Sequence, residues 1–202
     1  MKRVYLGVLL IVTLWHGVSC ADDLTRIRAI LKLPDNQIDI GRTKLTIDKT
    51  IDPTIDIKAN LKKIDSMVAK IQAGLPADAS NSDKLQALRT YLYSAGDWNG
   101  YQTYAYDFDD PLGQKISNKL LPHYLDTKKG NCVSMPLLFI ILGQRLGLDV
   151  TAAQAPVHIF VKYRDDMGNQ INLEATSGAT PARDIWIRQQ SPMTDEAVAN
   201  GV

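Results

Sequence analysis

Apolar residues recur at helical spacing through the first half of the chain. One face of a helix is formed by Ile57, Leu61, Ile64, Val68 and Ile71. Gly74 and Pro76 are typical of the end of such a helix. The same periodicity predicts helices over 24–33 and 38–50, and another from the capping residues at 81–83 onward. The first half of the chain is therefore predicted to be helical.

Aspartates return regularly between residues 38 and 57, but they lack the spacing and the glycine of a calcium-binding loop. We expect them on solvated helix faces. A loop over 96–111 carries five aromatic residues. Its rings either pack the loop onto the core or form a wall of a substrate groove, and the candidates for the groove are Trp98, Tyr104 and Tyr106. A further helix is predicted over 112–121, leading through Pro122 into the next segment.

A strongly apolar run spans residues 136–148 and follows a cysteine. Its spacing predicts a buried helix, with Pro136 in the first turn and Gly147 at the end. Cys132 then lies at or just before the start of this helix. Unpaired backbone N–H groups and the helix dipole favour a thiolate at that position.

After this helix the pattern changes to strands. Residues 150–153 are a short β-type run that Pro156 interrupts, and 157–163 is rich in β-branched and aromatic residues. A polar turn at 165–169 precedes 170–175, which alternates polar and apolar residues and is predicted to return as the partner of an antiparallel hairpin. The predicted fold class is α+β, with a helical N-terminal half and a central cysteine-bearing helix packed on a small antiparallel sheet.

Composition limits the function. The chain has 202 residues, 45% of them hydrophobic, and a net charge of +1, which is consistent with one domain. We find no basic cluster interleaved with aromatic residues, so a nucleic-acid partner is not expected. His123 and His158 are the histidines outside the N-terminal segment, and with one thiol they make a metal site improbable. No cofactor is expected.

The N-terminal 20 residues have the features of a secretory signal peptide. Lys2 and Arg3 precede a short apolar run, and small residues follow it. The run is shorter than a membrane span of about 20 residues. We therefore expect an exported protein, periplasmic or secreted, that begins near Ala21 or Asp22, or alternatively one anchored by a lipid on Cys20.

The pattern of apolar and polar positions predicts one domain and a tail in the remaining chain. The domain is expected over 22–190, with a helical part over 22–95 and a catalytic core over 107–178, and a tail over 191–202. Once the leader is removed, Cys132 is the one internal cysteine and cannot form an internal disulfide. A free thiol in an exported protein indicates reactivity.

Three residue types that make up a catalytic triad can be placed on these elements. His158 begins the first strand of the hairpin and Glu174 lies near the end of the second, so the two are expected to be neighbours facing Cys132. They supply a nucleophile, a base and an orienting carboxylate, and a protonated His158 would favour the thiolate. Taken singly, each has an ordinary structural interpretation as a core thiol, a strand histidine or a solvated carboxylate. Asn131 either donates its amide to an oxyanion hole or caps the helix.

Three segments in this order resemble the transglutaminase-like superfamily, which shares the Cys-His-acid order of papain-like enzymes, and most closely its bacterial SirB-type branch. They are GNCVSMPLLFIILGQRLGLDV, APVHIFVKY and NLEATSG. The resemblance is firm over 107–178 and weaker over 38–93. It implies that Cys132 is the nucleophile, His158 the base and Glu174 the acid, although the family usually has aspartate at the last position.

The resemblance implies an enzyme that attacks an amide or peptide carbonyl of a protein or peptide substrate and forms a thioester. Water would resolve the thioester in a protease or amidase, and an amine would resolve it in a transamidase. The alternative is a catalytically inactive domain of the same fold that serves as a binding or cell-envelope interaction module. The oligomeric state does not follow from the sequence.

Overall fold

A computed structural model describes residues 20–34 and 37–196. The predicted signal peptide lies outside this part of the chain, except for the backbone of Cys20, and so does the end of the tail. The first four helices are α1 (Cys20–Ile30), α2 (Ile40–Ile51), α3 (Ile57–Ala73) and α4 (Asn81–Tyr93). The helical N-terminal half is thus confirmed. None of the helices in the described ranges combines the length and the apolar character needed to cross a bilayer.

Short polar side chains begin α2, α3 and α4. Asp39 accepts a hydrogen bond from the backbone N–H of Arg42, which satisfies one of the unpaired donors at the start of α2. Asp56 does the same for α3. Ser80 and Asp83 form a reciprocal capping box at α4. The expectation that the aspartates lie on solvated helix faces was therefore wrong for Asp39 and Asp56, which lie at helix starts.

The segment after α4 contains short elements: strand β1 (Ala105–Tyr106), helix α5 (Leu121–Thr127) and strand β2 (Lys129–Gly130). β1 and β2 pair in parallel. The predicted helix over 112–121 is wrong, because only a 3₁₀ turn forms at Ile116–Lys119 and α5 begins after it. Pro122 does not end a helix but lies in the first turn of α5, where its missing N–H needs no acceptor.

Asp48 of α2 supplies the missing cap for α5. Its side chain is fully buried and accepts a hydrogen bond of 2.7 Å from the backbone N–H of Leu121. Lys44 forms an ion pair with the same carboxylate and donates to the carbonyl of Lys119 at 2.8 Å. This buried carboxylate therefore joins two helices that are distant in sequence. The expectation of a solvated helix face was wrong for Asp48 as well.

Helix α6 (Ser134–Arg145) is the centre of the molecule. It packs against α2, α3, α4 and α5 on one side and against strands of a sheet on the other. Its long side chains are almost all buried. A Cβ on Gly143 would lie 2.8 Å from Cγ2 of Val150, so glycine permits the close approach of α6 to the sheet. Gly147 has φ +81° and ends the helix as predicted.

The sheet has four antiparallel strands in the order β3 (Asp149–Ala155), β4 (His158–Arg164), β5 (Gln170–Glu174) and β6 (Thr180–Ala182). The predicted hairpin corresponds to β4 and β5, and it is confirmed with Val161 opposite Leu173. β3 extends to Ala155, beyond the predicted end at 153, and Pro156 and Val157 then form a two-residue turn into β4. Helix α7 (Asp184–Gln190) follows β6.

Two apolar clusters hold the layers together. The main one lies between the helices and one side of the sheet and includes Phe139, Val150 and Leu173. A small second cluster joins α7 to the sheet through Phe160 and Ile187. Helices packed mainly on one side of an antiparallel sheet are typical of an α+β fold, so the predicted fold class is confirmed.

We expect Asp48→Ala to lower the free energy of unfolding by about 3 kcal/mol, because it leaves the Lys44 ammonium and the Leu121 N–H without their buried partner. Urea denaturation followed by circular dichroism measures this loss. The matched control is Asp126→Ala, which removes an exposed ion pair with Lys63 and should change stability by less than about 1 kcal/mol. Equal effects of the two substitutions would contradict the structural role of Asp48.

Candidate active site

Cys132 lies in the tight connection between β2 and α6. Gly130 ends β2, and a Cβ there would lie 2.6 Å from Cδ2 of Tyr124 and in still closer contact with Oγ of Ser134. Only glycine lets the chain pass between these two side chains. Cys132 follows two residues later, and α6 begins at Ser134. The prediction that Cys132 lies just before the helix start is confirmed.

Asn131 and Ser134 fix the turn that carries the cysteine. The side-chain carbonyl of Asn131 accepts hydrogen bonds from the backbone N–H groups of Val133 at 2.9 Å and Ser134 at 3.4 Å. The Ser134 hydroxyl accepts from the Asn131 N–H at 3.1 Å and donates to the carbonyl of Asn118 at 2.7 Å. Asn131 thus caps the start of α6, which was one of its two predicted roles.

The amide nitrogen of Asn131 has a different environment. It is buried and has no hydrogen-bond partner among the residues described. A Cβ on Gly113 would lie 3.2 Å from this nitrogen, so the Gly113 backbone covers it. A buried donor without an acceptor is costly in a folded protein. Within the described chain the Asn131 amide nitrogen is therefore a donor without an acceptor, as the predicted role in an oxyanion hole requires.

A polar network supports the loop beside Asn131. The Asn118 amide donates to the carboxylates of Asp107 at 2.8 Å and Asp110 at 2.9 Å. This amide lowers the pKa of Asp107, since a hydrogen bond to the charged form stabilises it. The sequence analysis missed these three buried residues. Their types are ordinary for a loop, so no local signal marks them.

His158 lies at the start of β4, next to the Pro156–Val157 turn. Its Nε2 is 2.6 Å from Oε2 of Glu174, and its ring stacks on Phe160. Nδ1 is therefore the ring nitrogen left to face Cys132. Hydrogen bonds to Cys132 and then to Glu174 raise the pKa of His158 to about 9. The imidazole is thus held in its protonated form through the neutral range.

Glu174 ends β5 and is 2% exposed. Its second oxygen, Oε1, accepts from the backbone N–H of Thr176 at 2.9 Å and from the Thr176 hydroxyl at 2.6 Å. Burial alone would raise the pKa of Glu174, but the hydrogen bonds from His158 and Thr176 hold it below its usual value. Each carboxylate oxygen thus has a donor. A glutamate in place of the expected aspartate still reaches the histidine.

These side chains share one open cavity of about 730 Å³. Cys132, His158 and Glu174 line it, together with Asn131 and Tyr106. The Cys132 Sγ also lies 3.9 Å from the carbonyl oxygen of Val157, a contact typical of a weak thiol hydrogen bond. The structure therefore brings the three predicted triad residues together.

Only one of the three predicted groove residues lies in this cavity. Tyr106 lines it and donates its hydroxyl to the carbonyl of Pro111 at 3.1 Å. Trp98 lines a separate cavity between α3 and α4. Tyr104 is buried in the main core, edge-to-face on Tyr124 at 5.3 Å. Trp98 and Tyr104 thus face other neighbours than the Cys132 cavity, which fits the alternative role of packing the loop onto the core.

The site contains residues that the sequence analysis did not single out. Among them are Leu112, Val157, Thr176 and Trp186. A hydroxyl two residues after a candidate acid is a usable signal for Thr176, because such side chains often bond back locally. The other three are ordinary apolar residues in sequence. Within the described ranges, no group of three or more His, Cys, Asp and Glu side chains is placed to bind a metal ion.

We expect Gly130→Ala to destabilise the protein by about 2 kcal/mol, since an added methyl overpacks the contact with Ser134 and Tyr124. Alkylation of Cys132 at pH 7 should also slow, because the Ser134–Asn131 turn must shift. Chemical denaturation and peptide mapping after iodoacetamide treatment measure the two effects. Gly74→Ala is the control: its Cβ would lie 3.7 Å from the nearest atom. A Gly130→Ala protein that behaves like the control would contradict this account.

One comparison with known proteins gives a match. A family model described as the transglutaminase-like superfamily matches residues 58–185, well over half of the chain and including Cys132, His158 and Glu174. No curated protein matches the chain significantly, and no solved structure does so either. The match reaches the superfamily and not the SirB-type branch, which stays a prediction. The chain belongs to the transglutaminase-like superfamily.

Proposed function

We propose that this protein is a thiol enzyme that acts on amide or peptide bonds of a protein or peptide through Cys132, His158 and Glu174. The observation that carries the proposal is the 2.6 Å contact between His158 and Glu174 in the cavity that Cys132 lines. Superfamily membership supports a cysteine-based reaction on amides at a general level. The assignment of Cys132, His158 and Glu174 as a catalytic triad goes beyond what superfamily membership supports.

The proposed reaction has two steps. The Cys132 thiolate attacks the carbonyl carbon of the amide, and the C–N bond breaks as the leaving amine takes a proton from the His158 imidazolium. A thioester on Cys132 remains. Water or a second amine then attacks the thioester carbon while His158 accepts its proton, and the thiolate leaves to restore the resting site. Glu174 holds the imidazole in one orientation and stabilises its charge throughout.

Charge on the carbonyl oxygen needs hydrogen-bond donors. We propose the backbone N–H of Cys132, at the start of α6, as the first donor. The second is the Asn131 amide nitrogen, which is buried without an acceptor. Because the Gly113 backbone covers this nitrogen, the segment 111–113 must move for a substrate oxygen to reach it.

The choice between hydrolysis and transamidation depends on whether water or an amine reaches the thioester. The cavity is open to solvent at its rim, where Val157 is 96% exposed. That supports hydrolysis as the default outcome and leaves room for an amine acceptor. Placement in the SirB-type branch is proposed on the three sequence segments alone.

We also propose that the protein is exported to the periplasm or secreted, with lipid attachment at Cys20 as the alternative. The support is the charge, apolar and small-residue order of residues 1–20. Mass spectrometry of the intact protein recovered outside the cytoplasm of an expressing bacterium should give the mass of a chain that begins near Ala21 or Asp22. A membrane-free form that retains Met1 would contradict export by cleavage. A diacylglycerol adduct on Cys20 would establish the lipid anchor.

The triad predicts a specific pH dependence of thiol alkylation. Because the pKa of His158 is raised to about 9, its imidazolium persists at neutral pH and supports the thiolate. Alkylation of Cys132 by iodoacetamide should therefore be fast at pH 7. His158→Ala should slow alkylation at pH 7, and the difference between the two proteins should shrink above about pH 9, where His158 is neutral. Glu174→Gln should have a smaller effect on alkylation, since an amide orients the ring without stabilising its charge.

The same variants test turnover. A labelled glutamine-containing peptide reports thioester formation by intact mass, and release of ammonia or incorporation of a labelled amine separates hydrolysis from transamidation. Cys132→Ser should abolish acyl transfer without unfolding the protein, and His123→Ala is the control that should change neither assay. If His158→Ala leaves the rate of Cys132 alkylation unchanged, the proposed triad is wrong. The inactive binding or cell-envelope module then becomes the better hypothesis.

A further inference from the structure

Val157 adopts a backbone conformation that its side chain disfavours. Its φ is +56°, in the left-handed region, and it is the β-branched member of the non-glycine residues with positive φ in the described chain. It occupies the second position of the two-residue turn between Ala155 and His158, with Pro156 at the first. Proline followed by positive φ is the pattern of a type II turn, which favours glycine or asparagine at this position. The valine is therefore strained here.

The fold does not use the side chain that causes this strain. Val157 is 96% exposed, so its methyl groups contribute little to the core. It lines the Cys132 cavity, its carbonyl oxygen is 3.9 Å from Sγ, and it directly precedes His158. Strained residues cluster at sites that contact ligands. An exposed apolar side chain at the mouth of this cavity has a ligand as its natural contact.

A second exposed aliphatic side chain lines the same cavity. Leu112 is 81% exposed and lies on the segment that covers the Asn131 amide, next to Gly113 with φ +61°. Trp186 of α7 adds an aromatic ring that is 39% exposed. These three residues come from distant parts of the chain and form an apolar rim around the triad. We call Leu112, Val157 and Trp186 the apolar rim.

Charge in the cavity is limited. With Cys132 as the thiolate of the proposed mechanism, the negative charges of Cys132 and Glu174 are balanced by those of His158 and Lys119. The described lining therefore has no excess of one charge sign that would select a charged substrate side chain.

We propose that the substrate carries a bulky apolar side chain on the acyl side of the scissile amide, the side that stays on Cys132 in the thioester. The apolar rim would bury this side chain within reach of Sγ. This proposal rests on the proposed function and names its substrate class. Burying an aliphatic side chain in such a contact increases specificity by about tenfold or more.

The test uses peptidyl acyloxymethyl ketones that differ only in the residue next to the ketone: leucine, serine or aspartate. The Cys132 thiolate forms a carbon–sulfur bond and the carboxylate leaves with its electron pair, so no turnover is required. Labelling rates on the full chain are measured by mass spectrometry, assigned to Cys132 by peptide mapping and divided by the iodoacetamide rate. We expect the leucine probe to react about tenfold faster than the serine and aspartate probes.

Two variants test whether the rim causes this preference. Val157→Asn and Leu112→Ser should each reduce the leucine-to-serine ratio by about threefold or more. Val157→Asn should also keep or raise the thermal unfolding midpoint, since asparagine tolerates positive φ. Met167→Asn is the matched control, because Met167 is 84% exposed in the turn between β4 and β5 and does not line this cavity.

The outcomes separate the two proposals. Equal labelling by all three ketones, with normal iodoacetamide labelling of Cys132, overturns the apolar proposal and leaves the proposed function standing. Faster labelling by the aspartate probe also overturns it and assigns specificity to Lys119. No reaction of native Cys132 with any reagent, when the unfolded protein reacts, defeats the proposed function itself.

Discussion

The structure depends on the burial of helix α6. This helix is apolar on nearly every side, so it can exist only when other elements enclose it. Four helices and the sheet do so, and Gly143 allows the sheet to approach closely. The start of the helix is the part left open to a cavity, and Cys132 lies just before it. The thiol is thus attached to the most deeply buried helix of the described chain.

The two partners of the thiol, His158 and Glu174, are held in place as well. His158 and Glu174 come from adjacent strands, and the sheet packs directly on α6. Each oxygen of the buried Glu174 carboxylate has a donor, one from His158 and one set from Thr176. A fully bonded carboxylate cannot rotate freely, so it fixes the imidazole as well. The longer glutamate is compatible with the site because Thr176 holds its outer oxygen.

The rim of the cavity is built differently from its base. The base consists of buried and hydrogen-bonded groups, whereas Leu112 and Val157 are exposed and lie in turns. Loops that surround a rigid site commonly determine what it binds, since they change without loss of the core. Strain at Val157 and the cover over the Asn131 amide both belong to this outer layer.

The sequence by itself determined helices α1 to α4 and α6, the hairpin of β4 and β5, and the order of the candidate triad residues. Helical periodicity and strand alternation are local properties, and caps and turns are read within a few residues. The pairing of His158 with Glu174 followed from the length of one hairpin. By contrast, the 112–121 segment was predicted as a helix, because nothing local shows that the Asp110 carboxylate accepts from the N–H groups of Gln114 and Lys115.

Only the tertiary structure decided the contacts between residues distant along the chain. The buried Asp48 caps α5 from α2, and no local pattern distinguishes it from the aspartates at helix starts. Of the three candidate groove residues in one loop, Tyr106 alone lines the cavity, because Trp98 faces the cavity between α3 and α4 and Tyr104 packs on Tyr124 of α5. Burial depends on how the helices and the sheet pack together. A sequence predicts it only in a helix or strand whose apolar periodicity indicates which face lies against the core.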